Sequence, residues 1–301
     1  MNTLSNKDKS GTKLIMTILA IYAVCFLFRC LEYFLIKTDQ TFFGEAFIHK
    51  LLGIAICFVM FRALHIKPTG AGFRVKRIRN NILLGTLLGI SVYFLAYGIE
   101  LIIIAAMGKS PSLHFYVTSY SVDGNMGNQT GFGFFVLCIV GNIINVVMEE
   151  GVFRGLFLKI AEKKYNFLIA VIISSVLFGF WHLVAPLRSY IDGERSLGGM
   201  FMMMLTLFFA TGITGAKFCL LTKISGSLWL PMTDHFINNT IVNILHIGST
   251  SGIDELQTVR VAIAQTISFI IVLIFFIKGK HYKKPTFENN ESKNPNNSEA
   301  I

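Results

Sequence analysis

Met148-Glu149-Glu150-Gly151-Val152-Phe153-Arg154-Gly155 closes an apolar run that begins near Gly131. Two adjacent carboxylates and an arginine in such a run are expensive. An acidic or basic side chain at the centre of a membrane helix costs about +2.5 to +3.5 kcal/mol. A helix makes Glu150 and Arg154 i,i+4 neighbours that can pair. Glu149 lies about 100° round the helix from Glu150 and shares a face with Asn142, Asn145 and Phe153. One carboxylate is thus neutralised, while the other is left for chemistry. The plainer alternative is a charged helix end at the cytoplasmic interface, and the rest of the chain decides between them.

Composition places the chain in a bilayer. Of its 301 residues 53% are hydrophobic and 15% charged, where soluble domains carry about 25% charged residues. Eight apolar runs, at roughly 13–36, 46–66, 81–107, 131–158, 166–186, 197–216, 226–247 and 258–277, each approach the ~20 residues of a membrane span. The first is too long for a signal-peptide core and lacks a small-x-small cleavage site, so it reads as a span. The net charge of +10 has a topological cause. The amino tail, the 66–80, 154–165 and 217–225 stretches and the segment from Lys278 to Lys284 hold 18 Lys and Arg against 4 in the alternate loops. That alternation puts both termini in the cytoplasm. No basic-aromatic pattern for nucleic acid is present. The expectation is an all-α polytopic membrane helix bundle of about eight transmembrane helices over residues 1–280. The 108–130 loop reads as irregular, and 281–301 as a polar, disordered cytoplasmic tail.

The five cysteines, Cys25, Cys30, Cys57, Cys138 and Cys219, lie in or beside apolar runs without paired spacing, so neither disulfides nor a thiolate metal site is implied. Two other runs carry polar residues that packing alone does not require. The fifth ends Phe178-Gly179-Phe180-Trp181-His182, with Phe178 one turn back from His182 and walling a site there. A lone histidine near a helix end is more often interfacial or packed than catalytic. In the seventh, His235, Asn239 and Asn243 recur every fourth residue and form a polar stripe on one helical face. Helix-helix glue is the bland alternative, at about 0.6–2 kcal/mol per polar contact.

Pooled, Glu149, His182, His235 and Asn239 are parts for activating water and holding an oxyanion. A carboxylate withdrawn from water is a stronger base, and an oxyanion donor is worth ~3–4 kcal/mol. Ser174 and Ser175 lack a nucleophile frame. Two histidines and a glutamate are of the type that binds zinc, but no His-Glu-x-x-His helix or dedicated ligand spacing is present. No cofactor is therefore expected, with zinc left open.

These residues resemble the CPBP family of CAAX-protease and bacteriocin-processing membrane proteins, also called Abi. Glu149-Glu150-x-x-x-Arg154, Phe178-x-x-x-His182 and His235-x-x-x-Asn239 match its three motifs in order, with Gly226-Ser227-Leu228-Trp229-x-Pro231 as lead-in. The resemblance covers about 130–245. It implies an eight-helix intramembrane endopeptidase with a cavity open toward the cytosol. Glu149 would be the water-activating base, His182 its assistant, and His235 and Asn239 the oxyanion hole. Glu150 and Arg154 would hold the first motif in shape, through a glutamate mechanism without metal. The implied partners are the lipid bilayer and a membrane-anchored peptide or prenylated protein, in a bacterial plasma membrane. A non-proteolytic immunity or scaffold protein that binds a bacteriocin-like peptide or signalling partner would keep the same fold. A proton-relay transporter is the third reading. Counting from the loops leaves one tension, since Glu149 and His235 fall near mid-membrane but His182 well toward the outer side.

Overall fold

The computed structural model describes residues 2–118 and 128–279, with side chains from residue 11; the expected polar tail lies outside them. Each of the eight apolar runs becomes helix. In chain order the α-helices are α1 (Asn2–Leu31), α2 (Ile48–Ala63), the short α3 (Pro68–Ala71) between the second and third runs, α4 (Ile78–Ala106), α5 (Phe132–Glu150), α6 (Leu158–Glu162), α7 (Phe167–Trp181), α8 (Val184–Ile191), α9 (Leu197–Ser225), α10 (Trp229–Ile244) and α11 (Gln257–Lys278). Among the described residues six helical segments are long and apolar enough to cross a membrane. The other two runs form α2 and α10, of 16 residues each, or about 24 Å, short of a ~30 Å hydrocarbon core. The outer surface carries the apolar side chains expected against lipid, with Phe94 78% and Phe132 83% exposed.

The buried cores lie between helices. One joins α1, α2, α5 to α7 and their connections; another joins α4 and α11 to the end of α10. α10 packs along α4 and α5. Its close approach to α4 depends on Gly85 and Gly89, where a Cβ would stand 2.8 Å from the Leu230 carbonyl oxygen and 2.7 Å from Ile237. Small residues four apart let two backbones approach in a bilayer, where packing rather than hydrophobic exclusion drives association. Glu100, the one charge in the third run, is answered by Arg260 of α11 at 2.7 Å.

Three expectations change. The 108–130 loop is not wholly irregular, because β1 (Ser112–Phe115) pairs antiparallel with β2 (Leu245–Ser249), Phe115 opposite Leu245, and β3 (Gly252–Ile253) pairs with the other edge of β2. The seventh run therefore leaves the helix at Ile244, and the Tyr116 N–H satisfies the carbonyl of Ile244, one of the acceptors that a helix end leaves open. The fifth run breaks at His182 and resumes as α8.

The third change concerns residues 154–165, counted above as a basic loop. They continue α5 as a π-helical turn, Gly151–Phe157, and then α6. Arg154 is fully buried there, and Lys217 is buried within α9. Neither is a loop charge, although the alternation survives without them. The extension also removes the depth tension. Glu149 stands 13 residues before the end of α6 and His182 15 residues after the start of α7. At 1.5 Å per residue these are about 20 and 23 Å from the same end of the bundle.

Candidate active site

The π-helical turn widens the chain at the motif, and its hydrogen bonds are answered from α7. The Phe153 carbonyl accepts both the Leu158 N–H and the Ser174 hydroxyl, the latter at 2.8 Å. Ser174 is thus occupied structurally. Inside the turn Glu150 and Arg154 pair as expected, Arg154 Nη1 donating to Glu150 Oε1 at 3.1 Å with both side chains fully buried. Arg154 also stacks over Phe178 at 4.2 Å. Gly215 of α9 makes room for it, since a Cβ there would lie 2.9 Å from Arg154 Nη2.

Glu150 Oε1 has a second partner, His235 Nδ1 at 2.9 Å. The ring of His235 lies against Phe218, with centroids 4.7 Å apart and planes at 21°. Its Nε2 stands 3.7 Å from Glu149 Oε2. Because Nδ1 donates to Glu150, Nε2 carries a hydrogen only when the ring is an imidazolium.

Glu149 is 3% exposed. Its Oε1 accepts from Trp181 Nε1 at 3.1 Å, whereas Oε2 has no hydrogen-bond partner. His182 follows Trp181 and caps α7. Its Nδ1 lies 2.8 Å from the Phe178 carbonyl oxygen. A carbonyl only accepts, so Nδ1 holds the proton and Nε2 of the neutral ring keeps a free lone pair.

Glu149, His182, His235, Asn239 and Asn243 line one cavity of about 290 Å³. Asn142 and Asn145 line it too, as the shared face with Glu149 predicts. Phe153 does not; the π-turn carries it into the core against Phe178. Phe178 underlies the site rather than walling it, being 2% exposed and packed on His182, His235 and Arg154. Among the described residues no group of three or more His, Cys, Asp and Glu could hold a metal ion.

Several residues of the site escaped the sequence reading. Lys217 Nζ pairs with Asp234 at 2.7 Å and donates to Gln265 Oε1 at 2.9 Å. Gln265 Nε2 donates to Asn238 Oδ1 at 2.6 Å, and Asn238 Nδ2 to Asn239 Oδ1 at 2.9 Å. Tyr93 also donates to Asn238 Oδ1. An ammonium has no acceptor, so it fixes the direction of the whole chain and turns the Asn239 NH₂ group away from Asn238. Lys217 and Gln265 lie far from the motifs in sequence, and only their polarity within apolar runs could have flagged them.

The lining also includes Arg29, Tyr33, Glu45 and Lys50 from the end of α1 to the start of α2, and Val261 from the start of α11. None of the basic stretches at 66–80, 154–165 or 217–225 contributes. The cavity therefore reaches the end of the bundle opposite those stretches, and the expected opening toward them is not what the lining shows. The reason is that His182 caps the end of α7 next to α8, and Asn239 and Asn243 lie in the half of α10 nearer β2.

Comparison with known proteins adds the context. Residues 131–241 match the Rce1-like family, type II CAAX prenyl endopeptidase Rce1-like. This Rce1-like segment contains all three motifs, with Glu149, His182, His235 and Asn239. The chain is also 30% identical over 125 residues to the Bacillus subtilis (strain 168) protein described as "Putative membrane peptidase YdiL". That match spans 42% of this chain and 43% of the relative's length. No solved structure matches.

Proposed function

We propose that this multi-pass membrane protein is an intramembrane endopeptidase of the bacterial plasma membrane, with both termini cytoplasmic. It hydrolyses a peptide bond in a membrane-associated peptide or lipidated protein. One observation carries the reading: the unpartnered Glu149 Oε2 and the free lone pair of His182 belong to the same cavity. The Rce1-like segment supports the reading, because it contains Glu149, His182, His235 and Asn239.

A water that donates one hydrogen to Glu149 Oε2 and the other to His182 Nε2 directs its own lone pair at a carbonyl carbon. Glu149 takes the proton as the oxygen adds. The tetrahedral oxyanion meets the Asn239 NH₂ group, held by the chain from Lys217, and the imidazolium form of His235. Each such donor is worth ~3–4 kcal/mol in the transition state. Collapse breaks the C–N bond, and the proton held by Glu149 passes to the leaving amine. No step here is routed through a metal.

Glu149→Gln keeps the shape and the acceptor for Trp181 but removes the base. Loss of a general base lowers the rate by 10²–10⁴-fold in typical cases. Peptides released from membranes of wild-type and Glu149→Gln cells, compared by mass spectrometry at equal protein levels, test this. Products confined to the wild type are expected. An identical set from both strains would refute the reading.

A further inference from the structure

Six lysine and arginine side chains are buried among the described residues. Five meet a carboxylate directly: Arg154 with Glu150, Arg188 with Asp39 and Asp192, Lys217 with Asp234, Arg260 with Glu100 and Asp254, and Lys50 with Glu45. Arg29 does not. It is 5% exposed, and its hydrogen bonds go to the Tyr33 hydroxyl at 3.2 Å and His49 Nε2 at 3.3 Å. Its Nε has no partner. The nearby Glu32 is turned away, its oxygens taken by the Thr38 hydroxyl, the Ile48 and His49 N–H groups and His49 Nδ1. A guanidinium cannot shed its charge, and a buried charge is retained where something pairs with it.

What Arg29 faces is the catalytic cavity, whose wall it helps to form. The guanidinium stacks between Trp181 and Tyr33, 4.7 and 4.8 Å from the ring centroids. Trp181 in turn donates to Glu149. The unpaired cation thus lies over the indole ring and the catalytic carboxylate at its N–H edge, and both line a single cavity. His49 and Tyr33 take one N–H from each terminal nitrogen, while the aromatic stacking uses none, so the second N–H of each remains for two parallel hydrogen bonds to a carboxylate.

We propose that Arg29 is a carboxylate-binding subsite of this cavity and takes a carboxylate of the bound peptide. The group is either the peptide's C-terminus or an aspartate or glutamate side chain. The assignment rests on the reading of the cavity as a peptide site.

The test reads binding rather than cleavage. Purified protein with Trp229→Phe, which leaves Trp181 as the one tryptophan, is titrated with three small probes at constant ionic strength. These are N-acetyl-leucine, N-acetyl-leucinamide and N-acetyl-aspartyl-leucinamide, followed by tryptophan fluorescence and thermal shift. At least one carboxylate is expected to bind about tenfold or more tighter than the neutral amide. Preference for N-acetyl-leucine identifies a C-terminal carboxylate, and preference for the aspartyl probe a side chain. Arg29→Gln should erase the preference without changing the affinity for N-acetyl-leucinamide, and Arg29→Lys should reduce it. Equal binding of acids and amide, no binding of the acids, or a preference that survives Arg29→Gln would each overturn the assignment. If Arg29→Gln does not fold, the wild-type comparison and Arg29→Lys decide, and an unchanged preference in Arg29→Lys overturns it. Carboxylate preference in a protein that cuts no peptide leaves the subsite standing and removes the protease reading. Cleavage indifferent to carboxylates does the reverse.

Discussion

Removing Glu150 should damage this protein in two separable ways. Its Oε1 bridges Arg154 Nη1 at 3.1 Å and His235 Nδ1 at 2.9 Å, and neither Glu150 nor Arg154 is exposed at all. Glu150→Ala strands the guanidinium, whose Nε and Nη2 already lack partners. Breaking a buried pair from one side costs about 3–5 kcal/mol. It also frees His235 to rotate, and the loss of one hydrogen bond to a charged group adds about 1.5–3 kcal/mol at most. Arg154→Ala strands Glu150 but leaves it the bond to His235, so its effect should sit at the lower end of the range. Thermal unfolding in detergent, measured beside turnover, should show Glu150→Ala lowered on the order of ten degrees and inactive. Glu149→Ala should cost no more than about 1.5–3 kcal/mol, because it gives up a single hydrogen bond to a charged group, from Trp181, and strands no ion-pair partner. The double variant Glu150→Ala/Arg154→Ala should be no worse than the poorer single, the signature of a coupled pair. A Glu150→Ala protein as stable as wild type yet catalytically dead would refute the reasoning and place both glutamates in the chemistry.

Two further outcomes are expected. Gln265→Ala and Asn238→Ala interrupt the chain that orients Asn239, so kcat should fall about tenfold, one part of the ~3–4 kcal/mol that a fully aimed donor supplies, while KM and thermal stability stay close to wild type. A change in KM alone would show that the chain does not aim a transition-state donor. At the other end of α10, burial pushes the Asp254 carboxyl up, but bonds from His246, Arg260 and the Ile247 N–H outweigh it and hold the group below the ordinary carboxylate range. A depressed value stabilises the fold above the unfolded value of about 3.9, and the benefit is lost as pH falls through the folded one. Asp254→Asn should therefore be less stable near neutrality, and the difference from wild type should shrink as pH is lowered below about 4. A gap independent of pH would mean that ionisation of Asp254 contributes nothing.

The sequence by itself determined the class of protein and the face each motif presents. Apolar runs of span length and their alternating basic flanks need no tertiary information. Helical periodicity likewise puts Glu150 against Arg154, and His235, Asn239 and Asn243 in one stripe, because i,i+4 geometry is local. Tertiary structure decided everything that depends on how one helix is rotated and slid against another. The bond from His235 to Glu150 joins positions 85 residues apart, and the chain from Lys217 to Gln265 joins positions 48 apart. No period within either segment encodes such a pairing. Nothing local to Arg29 sets it apart from other basic residues, and only the folding of residues 32–50 beside Trp181 makes it the buried cation without a carboxylate. The π-helical turn was equally illegible. It is held by the Ser174 hydroxyl from another helix, and with this distant contact residues that read as a charged loop continue α5 and bury Arg154 in the core.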